Sequence, residues 1–74
     1  MNRIQKIGKL SHAVKAWRGA NTGPGTKWLR QPQPSAARRV RRWLDELGLD
    51  ADPSMKQIEA FSSYAQFSEW LRGL

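Results

Sequence analysis

A chain of 74 residues without a cysteine has no disulfide to staple it. Any fold it holds must come from packing one small apolar core. The same absence removes thiolate zinc and iron–sulfur sites, and a single histidine, His12, removes a histidine-rich metal site. A core is nevertheless within reach, because 39% of the residues are apolar and four are tryptophan. There is no room for a doubly wound sheet or a barrel enzyme. No run approaches the roughly 18 apolar residues of a membrane span.

The apolar residues recur at helical spacing. Over residues 2–18, Ile7, Leu10, Val14 and Trp17 share one face, Ala13 lies beside them and Ile4 falls off it. Gly8 weakens the first turns of this helix, and Gly19 stops it. Over residues 35–48, Ala36, Ala37, Val40, Trp43, Leu44 and Leu47 cover one face, and Ser35 is the expected N-cap. Gly48 suits the left-handed position that follows a helix, with Leu49 packing back on Leu44. After the turn at 50–53, either Asp52 or Ser54 caps a helix carrying Pro53. Met55, Ile58, Phe61, Tyr64, Phe67, Trp70 and Leu74 then recur about every third residue. Ser54-x-x-Gln57 and Ser63-x-x-Gln66 both match a capping box. The pattern predicts two short helices, about 53–61 and 63–72, broken at Ser62-Ser63. The fold class is therefore a small all-α domain of three to four short helices with a long Gly/Pro-rich loop. Its parts are a basic amphipathic helix at 1–18, the loop at 19–34 and a helical core at 35–74. In this reading Trp17 and Trp43 are core residues, and the helix at 1–18 contributes less to the core than residues 35–72.

Charge divides the chain. Residues 1–44 hold four lysines (Lys6, Lys9, Lys15, Lys27) and seven arginines (Arg3, Arg18, Arg30, Arg38, Arg39, Arg41, Arg42) and no acid, while all six acids lie from Asp45 onward. The net charge is +7. A stretch that cannot neutralise itself locally calls for an anionic partner. The cluster Arg38, Arg39, Arg41, Arg42 is the strongest signal. It stands near a helix N-terminus, where the backbone already favours anions, and Arg38 and Arg42 repel each other at i, i+4. A phosphate at that helix start would meet free N–H groups and guanidinium forks together. Cations also stand beside aromatics in Trp17-Arg18, Lys27-Trp28-Leu29-Arg30 and Arg42-Trp43, the combination that stacks bases and holds phosphates.

Other chemistries fail on spacing. Gly23-Pro24-Gly25-Thr26-Lys27 lacks the order and the preceding strand of a phosphate loop. Asp50-x-Asp52-x-Ser54 lacks the glycine and the distal glutamate of a calcium loop. His12 is read as a solvated helix residue, and it has no nucleophile and orienting group to complete a catalytic set. The acid-free amphipathic start resembles an interfacial membrane helix or an organellar presequence, but Ser11 is the only serine in the first 18 residues. The expectation is a cytoplasmic, non-enzymatic nucleic-acid-binding protein, with RNA or DNA as partner. It has no cofactor, no metal, no small-molecule substrate and no membrane partner. The expected contacts are Arg38, Arg39, Arg41, Arg42, Lys27, Trp28, Arg30, Lys9, Lys15 and Arg18. The alternative is a regulator or subunit that docks its basic half on an acidic protein surface.

Overall fold

A computed structural model describes residues 2–19 and 33–74. Among these residues the chain forms α1 (Arg3–Arg18), α2 (Pro34–Glu46), α3 (Ala51–Ala60) and α4 (Tyr64–Arg72). The all-α class is as expected. The stretch at 19–34 lies outside the described residues except for Gly19, Gln33 and Pro34.

Each helix end has a local cause. Asn2 caps α1 in a reciprocal box: the Gln5 N–H donates to Asn2 Oδ1 at 2.8 Å, and the Asn2 N–H donates to Gln5 Oε1 at 3.1 Å. Gly19 closes α1 in the left-handed conformation, φ 69°. α2 begins one residue earlier than expected. Pro34 takes the first helical position, where a missing N–H costs nothing, so Ser35 lies inside the first turn and is not the cap. Beyond α2, Gly48 adopts φ 77°, and the Leu49 N–H reaches the Leu44 carbonyl at 2.9 Å while the Gly48 N–H reaches that of Asp45 at 2.9 Å. This is the expected Schellman ending.

α3 starts at Ala51, ahead of both caps read from the sequence. The Ser54 N–H already donates to the Asp50 carbonyl at 3.1 Å, so Asp52 and Ser54 are helical and Ser54-x-x-Gln57 is no cap. Pro53 is tolerated because first-turn N–H groups have no intrahelical acceptor. The break at Ser62-Ser63 stands. Ser63 Oγ accepts from the Gln66 N–H at 3.5 Å, and Gln66 Oε1 accepts from the Ser62 N–H at 2.7 Å.

α1 and α2 lie antiparallel. Lys6 meets Glu46 at one end, with Nζ 3.5 Å from a carboxylate oxygen, and the Gln33 N–H donates to the Trp17 carbonyl at 2.7 Å at the other. The buried core comprises Leu10, Ala13, Val14 and Trp17 of α1, Ala36, Val40 and Leu44 of α2, then Leu47, Ala51, Ile58 and Phe67. This corrects the placement of the core in residues 35–72. Gly8 costs α1 about 1 kcal/mol, whereas burying Leu10 or Val14 returns about 1.5–3 kcal/mol each. Packing therefore overrides the local weakness. α4 seats Phe67 against this core, with Tyr64 and Trp70 at ring-centroid distances of 5.5 and 5.9 Å from it. The Ser11 and Tyr64 hydroxyls share a hydrogen bond, and the Arg3 guanidinium donates to the Leu74 carbonyl at 3.0 Å. Trp43, expected in the core, is only half-buried. Among the described residues no helix is long and apolar enough to cross a membrane.

Candidate nucleic-acid interface

The i, i+3 spacing of helices sorts the cations. On α1, Lys9 and His12 share a flank; on α2, Arg39 and Arg42 do the same. The antiparallel register, fixed by the Lys6–Glu46 and Trp17–Gln33 contacts, brings these flanks level. Between them lies a cleft of about 300 Å³ lined by Lys9, His12, Ala13, Arg39, Arg42 and Trp43. Of these, Lys9, His12, Arg39 and Arg42 are exposed and make the rim, while buried Ala13 and half-buried Trp43 make the floor. The Arg42 guanidinium lies 5.2 Å from the centroid of the Trp43 ring, within cation–π range.

Three of the six acids, Glu46, Asp52 and Glu69, are engaged by other cations. The ion pairs among the described residues are Lys6–Glu46, Arg41–Asp52 and Arg72–Glu69. None takes Lys9, Arg39 or Arg42. Lys9, Arg39 and Arg42 thus share one cleft with no ion pair among the described residues.

The expected contact residues among those described do not all line this cleft. Arg39, Arg42 and Lys9 come together in the cleft. Arg38 is exposed on α2 but does not line it. Arg41 turns to Asp52. Lys15 sits over the Tyr64 ring of α4, 4.9 Å from its centroid, and Arg18 lies 5.8 Å from the Trp17 centroid. Lys27, Trp28 and Arg30 lie outside the described residues.

Among the described residues, the cations of α2 stand beyond its first turn. The Ala36 and Ala37 N–H groups donate to the Gln33 carbonyl at 3.0 and 3.3 Å. The cations line the flank of the second and third turns instead. His12 is exposed, as expected of a solvated helix residue, and lines this cleft; Trp43, expected in the core, lines it too. The i, i+3 spacings Lys9-x-x-His12 and Arg39-x-x-Arg42 are the signal the sequence carries for this cleft; that the two face each other depends on the fold. Among the described residues no group of three or more His, Asp or Glu side chains gathers that could hold a metal ion.

Comparison with known proteins found no matching family model, no matching curated protein and no matching solved structure.

Proposed function

We propose that this chain is a non-enzymatic nucleic-acid-binding protein that grips phosphates in the cleft between α1 and α2. One observation carries the reading: Lys9, Arg39 and Arg42 converge on a shared cleft and have no acidic partner among the described residues. Like charges held together on a folded surface repel one another, and phosphates relieve that repulsion. Arginine offers paired donors that match two phosphate oxygens, and lysine adds a point charge. Affinity then comes chiefly from counterion release, with little readout of sequence.

The test is binding to short labelled RNA and DNA oligonucleotides across a salt series. With about three phosphates contacted, log K falls against log salt with a slope of roughly −2 to −3. Replacing Lys9, Arg39 and Arg42 together by alanine flattens that slope. A flat slope in the unmutated protein, or one the triple variant leaves unchanged, overturns the reading. Capture from nuclease-treated lysate of the same protein partner as from untreated lysate also counts against it, in favour of an acidic protein surface.

A further inference from the structure

We infer that the cleft takes a single strand, seating one unpaired nucleotide with its phosphate among Lys9, Arg39 and Arg42 and its base against Trp43. This rests on the nucleic-acid reading above and narrows it. The argument is one of shape. Motifs that read duplex DNA by an α-helix push one convex helix into the major groove, with side chains directed at base edges. Here the exposed cations Lys9, Arg39 and Arg42 line a hollow between two helices, and its floor is buried Ala13 and half-buried Trp43. The bases of a duplex are stacked inside it, so a duplex presents phosphates and sugars to such a hollow and leaves the floor unfilled. An unpaired nucleotide brings both chemistries at once, an anion for the rim and a flat π-face for the floor. The volume agrees. About 300 Å³ stands at the small end of the roughly 300–1,000 Å³ of ligand clefts. Trp43 is suited to the floor because it is half-buried, held by its packing against the core yet lining the cleft.

The experiment compares a labelled single strand with the duplex of the same sequence, in RNA and DNA forms, against the unmutated protein and Trp43→Leu. The single strand binds about tenfold more tightly, and Trp43→Leu removes most of that preference while leaving the salt slope. In parallel, the Trp43 indole N–H resonance shifts on adding single strand and stays in place on adding duplex. That readout decides the matter if Trp43→Leu does not fold. Equal affinity for strand and duplex, or a still indole resonance, overturns the single-strand assignment and leaves phosphate binding intact. Absence of binding to every oligonucleotide overturns both.

Discussion

The Arg41 guanidinium donates to the Asp52 carboxylate, joining α2 to the first turn of α3. This pair removes one arginine from a cluster that reads in the sequence as a unit of four. Arg41 and Arg42 are adjacent in the chain, yet one is bound to an acid and the other lies over Trp43 in the cleft.

The two neighbours therefore respond differently to substitution. Arg42→Ala should reduce the slope of log K against log salt by about one unit and weaken binding across sequences. Arg41→Ala should leave the slope nearly unchanged. Its effect on stability should also be small, about 0.2–1 kcal/mol, because both partners are exposed and surface pairs are screened. A salt series on the two variants checks this. Equal losses of slope would mean that Arg41 leaves Asp52 when nucleic acid arrives.

Two glycines should move stability in opposite directions. A Cβ at Gly8 would meet nothing within 4 Å, and Gly8 lies within α1, so Gly8→Ala should stabilise by about 0.5–1 kcal/mol through helix propensity. Space is equally open at Gly48, but its φ is 77°. Gly48→Ala should therefore destabilise by about 1–2 kcal/mol through backbone strain alone. In a domain of this size each kcal/mol shifts the melting temperature by about 4–8 °C. Thermal unfolding of both variants reads the sign directly.

These contrasts show what the sequence made legible. Periodicity located the buried faces, since Leu10, Val14, Val40, Leu44 and Ile58 are set by spacing alone. Gly48 and Ser63 marked their helix ends because each supplies a local geometry or a local hydrogen bond. Where helix-start signals compete, local reading failed. Pro34 displaced Ser35, and α3 began before both Asp52 and Ser54. The weight of α1 was also hidden, because Gly8 is visible in the sequence while the surface that buries Trp17 belongs to a distant segment. The site was half legible. The excess of positive charge is a matter of counting, but which cations remain unpaired depends on where the fold carries Asp52 and Glu46.

Removing α1 should then unfold the remainder. A fragment spanning 34–74 keeps the Ser63 cap of α4 but loses Leu10, Ala13, Val14 and Trp17 from the core. It also loses Ser11, the hydrogen-bonding partner of Tyr64. Far-ultraviolet circular dichroism with a melt should show weak helicity and no cooperative transition. A fragment that melts cooperatively would mean that α2, α3 and α4 hold a sufficient core alone.

Trp17 and Trp43, which differ in burial, should separate stability from binding. Trp17 is 2% exposed and lies in the α1–α2 core, with its carbonyl accepting the Gln33 N–H. Trp43 is half-buried at the cleft. Truncating a buried tryptophan costs about 3–5 kcal/mol, and a chain of this length holds only about 4–11 kcal/mol in total. Trp17→Ala should therefore lower the melting temperature steeply, or leave a chain without a cooperative transition. Trp43→Ala removes fewer core contacts and should cost less, because part of its ring already faces solvent. The order reverses in binding. At a temperature where both variants remain folded, or with Trp17→Phe substituted where Trp17→Ala does not fold, the Trp43 variant should bind oligonucleotide more weakly and the Trp17 variant should bind as the unmutated protein does. The measurement is a thermal melt and a binding isotherm on each variant. A larger loss of stability from Trp43→Ala than from Trp17→Ala would place Trp43 in the core and remove it from the floor of the cleft.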